Sequence, residues 1–290
     1  MKIIDLLRPG NITISCEIFP PKPGVSLDQF HGVIQGIAAT SPHFISVTYG
    51  AGGSTSKRTL EIAEEIQEQH QIPALAHLTC ITSSRVQIDD TLQALKEHNI
   101  KNILALRGDM PQDCSPNTPR DFQYAYQLIE EIKAQGDFCI GAACYPEGHV
   151  ECPSKEMDID HLKRKVESGC DFLTTQMFFD NNILYHFLYR ALAKGIQVPV
   201  VAGIMPVTNS KQIKRICELS GTELPARFKA IVERFADHPH AMKQAGIAYA
   251  TEQIIDLIAN DVNAIHLYTM NKPEIAEKIM GNLSNILRIS

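Results

Sequence analysis

One pattern recurs along the 290-residue chain: a short apolar, β-branched run, a few turn residues, then a longer stretch with helical spacing. The strand candidates are ITISCEIF (12–19), HFISVTYG (43–50), PALAHLTC (73–80), NILALRG (102–108), FCIGAACY (138–145), DFLTTQMFF (171–179), VPVVAGIMP (198–206) and NAIHLYT (263–269). Among the helix candidates between and after them, SLDQFHGVIQGIA (26–38) opens on Ser26 as an N-cap, and SKRTLEIAEEIQEQH (56–70) sets Leu60, Ala63 and Ile66 on one face. The last, KPEIAEKIMGNLSNIL (272–287), has Pro273 in its first turn and Ile275, Ile279, Leu283 and Ile286 in one stripe. Alternation of this kind forces parallel strands joined by crossover helices.

Eight such units predict the α/β class and a closed (β/α)₈ barrel, a single domain over 1–290. An open doubly wound sheet usually has fewer strands and a glycine-rich first turn. The cluster GAGGS (50–54) lacks the GxGxxG spacing, and no GxxxxGK[ST] occurs. No linker or composition shift divides the chain, and 207–262 is itself helical in pattern.

Charge narrows the partners. With 27 Lys+Arg against 33 Asp+Glu, a net −6, no basic field exists to grip a phosphate backbone, which argues against nucleic acid. The 8 cysteines form no CxxC pair, and most lie in apolar runs where a thiol packs as a small hydrophobe. MKIIDLLRPG is too short and interrupted for an export signal, and no apolar run approaches the ~18 residues of a membrane span. The expectation is a soluble cytoplasmic protein with reduced thiols.

In such barrels chemistry sits at the C-terminal ends of the strands. Those ends are polar here: Glu17, Thr48 and Tyr49, His77 and Thr79, Arg107 and Asp109, Tyr145 with His149 beyond it, Gln176 and Tyr268. Glu17 alternates with Thr13 and Ser15, so if that side is the interior, Glu17 points into the barrel mouth. Each also has a plainer reading. Glu17 as a surface glutamate at a fraying end, His77 as a satisfied core histidine, Arg107-Gly108-Asp109 as a turn with a local ion pair and the tyrosines as wall packing all stay open. No strand ends in lysine, against Schiff-base chemistry, and no strand end carries a His-x-His, HExxH or carboxylate cluster, against a catalytic metal. In DIDHLKRK, Asp158, His161, Arg164 and Lys165 fall at i, i+3, i+6 and i+7, either a solvated face or a clamp for ribose and phosphate oxygens.

The stretches CEIFPPK, ISVTYGAGGSTSKRT, AHLTC, ILALRGDMP, AACYPEGH, LKRKVESGCDFLTTQMFFD, AGIMPVTNSKQ and HLYTMNK occur in the order and approximate spacing of methylenetetrahydrofolate reductase. The resemblance spans essentially the whole chain and is to the short bacterial form, without a regulatory domain after the barrel. It implies a TIM barrel that carries FAD at the strand C-termini and passes hydride from NADH or NADPH to 5,10-methylenetetrahydrofolate in a ping-pong cycle. The product would be 5-methyltetrahydrofolate, in one-carbon metabolism and methionine biosynthesis, and the protein a homo-oligomer. Glu17 matches the family's general acid, which protonates a ring nitrogen so that the folate ring opens; apolar surroundings would keep such an acid neutral. Asp109 matches the aspartate near pterin and flavin, Gln176 the residue touching both nicotinamide and folate, and Thr48 a nicotinamide-side contact. Tyr49, Ala51, His77, Arg107, Gly108, Ala125, Tyr145, His149, Asp158, His161, Arg164 and Lys165 are the matching flavin positions. Gln212 and Lys272 are the matching folate positions. Lys272 stands where the bacterial pattern has arginine, Ile216 where it has an aromatic, and Gln127 where it has aspartate.

Overall fold

The computed structural model describes residues 1–21, 27–49, 55–110 and 120–288. In chain order it runs β1 (Thr13–Ile18), α1 (Leu27–Ala38), β2 (Phe44–Val47), α2 (Thr55–His70), β3 (Ala74–Thr79), α3 (Arg85–Glu97), β4 (Asn102–Leu106) and α4 (Ala125–Gln135). There follow β5 (Cys139–Cys144), α5 (Lys155–Glu167), β6 (Phe172–Thr175), α6 (Asn181–Ala193) and β7 (Val200–Ile204). After β7 come three helices, α7 (Ser210–Ser220), α8 (Ala226–Arg234) and α9 (Pro239–Ala259), then β8 (Ala264–Tyr268) and α10 (Pro273–Leu283). The strands pair in sequence order, all parallel, and β8 closes on β1. The (β/α)₈ TIM barrel expected from the pattern is the fold.

Every strand lies inside its expected run, but the runs overshoot at their C-terminal ends. DFLTTQMFF contributes only Phe172–Thr175 to the sheet. Thr48, Arg107, Tyr145 and Gln176 each sit one residue past a strand, where a side chain faces the mouth rather than a packed wall. Ser26 and the GAGGS cluster, Ala51 included, lie outside the described residues.

Alternation sorts the strand residues into two shells. Ile14, Cys16 and Ile18 of β1 point outward and join Ile34, Ile37, Ile62, Ala63 and Ile66 of α1 and α2 in the shell between sheet and helices. The inward set closes the N-terminal end: Phe44, Leu75, Leu104, Cys139, Phe172 and Val201 pack with Ile3 and Leu7 of the leading segment. That plug is tied in by polar bonds. Ile3 N donates to Asn102 Oδ1 at 2.8 Å, and Thr13 Oγ1 donates to the Leu6 carbonyl at 3.1 Å. A third cluster, with Met177, Phe179, Met205 and Val207, seats α7, α8 and α9 beside the barrel through Ile213, Phe228, Val232 and Met242. No helix among the described residues is long and apolar enough to cross a membrane.

Register then fixes what surrounds Glu17. Ser15 lies opposite His266 of β8, and Glu17 opposite Tyr268 of β8 and Ser46 of β2.

Candidate active site

A cavity of about 1620 Å³ opens at the C-terminal ends of the strands, well above the ~300–1,000 Å³ usual for one small ligand. Its floor is the polar layer above the apolar plug. Glu17 Oε2 lies 3.9 Å from His77 Nε2 and 3.9 Å from His266 Nε2. Tyr268 stands beside them, its hydroxyl donating to the Thr175 carbonyl at 2.6 Å. Gly203 makes room for that ring, since a Cβ there would meet Tyr268 Cε2 at 2.6 Å and Thr175 O at 2.5 Å. Burial first, then Glu17, pushes the Tyr268 phenol well above its ordinary range. His77 is buried and its Nε2 has no hydrogen-bond partner among the described residues. Burial lowers its pKa to about 4, with Glu17 opposing, so His77 is neutral near pH 7.

The expected apolar setting of Glu17 is corrected by this geometry. Cys16 and Ile18 flank it in sequence but face the opposite side of the strand. Its own neighbours are the two histidines and Tyr268, and its side chain is 19% exposed to the cavity. The strand end beneath it is cross-tied to β8. Thr269 Oγ1 donates to Glu17 O at 2.6 Å, and Asn271 accepts from Phe19 N at 3.0 Å and donates to Phe19 O at 2.8 Å. Those bonds hold Met270 and Asn271 at φ of +53° and +56°, a region that non-glycine residues rarely adopt.

Across the mouth, the ends of β4 and β5 and helix α5 present a wall of mixed charge. Arg107, Arg164 and Lys165 line the cavity together with His149 and His161, and Asp158 and Asp109 sit among them. The four α5 positions therefore line the cavity, with His161 and Arg164 exposed at its mouth. Arg164 stacks 3.6 Å from the Tyr126 ring centre, while Lys165 donates to Ala143 O at 2.9 Å and lies 5.7 Å from the Tyr145 ring. Tyr145 in turn packs edge-on to His149 at 4.6 Å. Burial lowers the pKa of Lys165 and His149 and raises that of Asp158; Tyr145 is pushed up to about 12 by burial, with Asp158 adding. Gly108, at φ +85°, turns the chain between Arg107 and Asp109 as few other residues can.

The plainer reading of Arg107-Gly108-Asp109, a turn with its own ion pair, is not what forms among the described residues. Arg107 grips Glu151 through its two terminal guanidinium nitrogens, at 2.5 and 2.9 Å, and this contact raises the Arg107 pKa and lowers that of Glu151. Thr48, Tyr49, Ala125 and Gln176 also line the cavity. Gln176 Oε1 accepts from Met177 N at 2.9 Å. Gln212 and Lys272 are not part of this lining. Gln212 borders a separate shallow hollow with Ile216 and Thr208, and Lys272 Nζ donates to Thr208 Oγ1 at 2.9 Å, so the two share an outer rim.

The family model for methylenetetrahydrofolate reductase matches residues 2–284. The chain belongs to the methylenetetrahydrofolate reductase family. It is 34% identical over 274 residues to 5,10-methylenetetrahydrofolate reductase of Pectobacterium carotovorum, covering 94% of this chain and 91% of that one. The Escherichia coli K12 protein of the same name is 32% identical over the same shares. Methylenetetrahydrofolate reductase (NADH) 1 of Arabidopsis thaliana is 35% identical over 303 residues, covering 99% of this chain but 51% of its own length. The chain thus spans about half the length of the plant relatives it matches. Among solved structures, an uncharacterized Clostridium thermocellum protein that binds two copies of 5-methyl-5,6,7,8-tetrahydrofolic acid superposes with a TM-score of 0.62 at 13% identity, each chain fully covered. At that identity the likeness is one of fold.

Three residues of this candidate site were not singled out from sequence. His266 shares the inward phase of Tyr268 in NAIHLYT, and alternation would have found it. Glu151, in the loop after β5, and Tyr126, in the first turn of α4, carry no strand-end signal; only the folded chain brings them to Arg107 and Arg164. Gln127 also gains a role, its Oε1 accepting from Gln123 N and Tyr124 N at 2.7 and 3.0 Å at the start of α4.

Proposed function

We propose that this chain reduces 5,10-methylenetetrahydrofolate to 5-methyltetrahydrofolate, with NADH or NADPH as electron donor and FAD as resident cofactor. The observation that carries the reading is Glu17, a carboxylate between His77 and His266 on the floor of a cavity whose opposite wall carries Arg107, Arg164 and Lys165. The residues fit a flavin dinucleotide. Arg164 and Lys165, with Arg107 once released from Glu151, suit its diphosphate; Gly108 suits close backbone approach; the buried, unpartnered Nε2 of His77 suits a polar edge of the ring system. Bound there, FAD supplies the two-electron chemistry by which hydride passes from one substrate to the other in a ping-pong cycle.

The chain's own groups do the rest. Glu17 delivers a proton to a ring nitrogen of the folate, which opens the five-membered ring to an electrophilic iminium. Asp109 places a negative charge near the cation that forms. Gln176 and Thr48 orient the substrates that occupy the mouth in turn. Gln212 and Lys272, on the outer rim, suit the distal glutamate of the folate, Lys272 offering charge without the two-pronged geometry of arginine. We place the activity in the cytoplasm, in one-carbon metabolism and methionine biosynthesis, and in a homo-oligomer.

Anaerobic spectroscopy tests the reading. The purified or FAD-reconstituted protein is expected to be yellow, to bleach with NADH or NADPH, and to regain colour on adding 5,10-methylenetetrahydrofolate. Failure to retain FAD, or binding of the folate with no redox change, overturns it.

A further inference from the structure

Arg107, Arg164 and Lys165 line the same wall of the cavity, and two of them are already engaged. Arg107 gives both terminal guanidinium nitrogens to Glu151 and its Nε–H to the Gly108 carbonyl at 3.2 Å. Lys165 donates from Nζ to the Ala143 carbonyl at 2.9 Å. Arg164 differs: among the described residues its guanidinium makes no hydrogen bond and no ion pair, and what it meets is the face of Tyr126.

An arginine in that place needs a support. It rises from the last turn of α5, where side chains lean back toward the helix start and so toward the mouth, and an exposed stem of that length has many rotamers to choose from. Tyr126, in the first turn of α4, narrows the choice. Cζ of Arg164 lies 3.6 Å from the ring centre, van der Waals distance for carbon, and a guanidinium comes so close by lying flat, because an N–H aimed at the ring would hold Cζ farther off. The ring is itself braced. Tyr124 stacks on it at 5.9 Å and 16°, and Gln127 ties down the start of α4 through Gln123 N and Tyr124 N.

A flat stack uses the π-face of the guanidinium and leaves its in-plane N–H edge untouched. That edge is the part that matches phosphate oxygens in pairs. Resting on the proposed reading of FAD as resident cofactor, we propose that Tyr126 is a positioning residue, which holds the Arg164 guanidinium flat and presents its open edge to the flavin diphosphate before the cofactor arrives. Arg164 is then the ready anchor of the wall, whereas Arg107 must first leave Glu151.

Flavin affinity tests this, with FAD titrated into the flavin-free 290-residue chain and binding followed by flavin fluorescence. Tyr126→Leu is expected to raise the Kd for FAD ~3–10-fold, the size of a lost cation–π contact, while Tyr126→Phe, which keeps the ring, stays within about twofold of wild type. Riboflavin, which has the ring system and no phosphate, should bind Tyr126→Leu and wild type alike. The decisive arm is the double variant. In an Arg164→Ala background Tyr126→Leu should cost nothing further, because a residue that acts through Arg164 then has nothing left to hold. Tyr126→Gln takes its place if Tyr126→Leu does not fold. Three results overturn the inference alone: FAD affinity unchanged in Tyr126→Leu, the same loss persisting in the Arg164→Ala background, or an equal loss of affinity for riboflavin. A wild-type chain that binds no FAD overturns the proposed function, and this inference with it.

Discussion

The two ends of the barrel interior are built from the same strands and differ by one step of two residues. At the N-terminal end Phe44, Leu75 and Phe172 meet Ile3 and Leu7 in a closed apolar plug. Two residues further along those strands stand Ser46, His77 and Thr174, and the cavity begins. Because alternate residues share a face, one strand carries a stabilising layer and a chemical layer in register. The plug packs by apolar contact, and the polar groups that tie it in, Asn102 and Thr13, have partners. The mouth holds groups such as His77 Nε2 and Thr174 Oγ1 that are buried without a partner among the described residues, which is how a site for a polar ligand differs from a core.

That contrast can be broken from either side. The largest effect on stability is expected in the plug, where Phe172 is fully buried: Phe172→Ala should lower the unfolding free energy by ~3–5 kcal/mol in denaturant titration. The surviving folded fraction should still reduce folate, because the catalytic layer lies above the cavity left behind.

A smaller and pH-dependent effect belongs to His77. Its pKa falls from 6.5 to about 4 on folding, so between those values the unfolded chain takes up a proton that the native state refuses. Stability from this group is intact above pH 6.5 and is lost as pH falls toward 4, by ~3 kcal/mol across the window. His77→Gln should flatten that slope in unfolding measurements at pH 7 and pH 5; an unchanged slope would mean that another group carries the acid sensitivity. The smallest effect is expected at Glu151, whose side chain is 54% exposed. Glu151→Gln should change stability by ~0–1 kcal/mol in the protein without flavin, an effect that added salt erases.

The barrel was legible because its signals are local. Period-two runs such as ITISCEIF and NAIHLYT, broken by Gly, Pro and polar turns, give strands without any knowledge of partners. The strand-end rule then found Glu17, His77, Arg107, Tyr145 and Gln176, all of which the barrel brings to one cavity. What sequence could not give was who faces whom. Cys16 and Ile18 suggested an apolar setting for Glu17, whereas pleating sends them to the other side. Asp109 stands two residues from Arg107, yet the guanidinium pairs with Glu151, 44 positions away. Lys272 and Gln212 lie beyond the cavity because α7 and the turn after β8 set them on an outer rim, a placement that depends on how α7, α8 and α9 pack.

The central claim is that Glu17 is the acid of folate reduction and takes no part in flavin reduction. Glu17→Gln keeps the size of the side chain and removes its capacity to deliver a proton. Anaerobic half-reactions of the FAD-loaded variant should show folate reduction slowed by ~10²–10⁴-fold while reduction of the flavin by nicotinamide stays within a few-fold of wild type. Equal loss in both half-reactions, or no loss in either, would contradict the account.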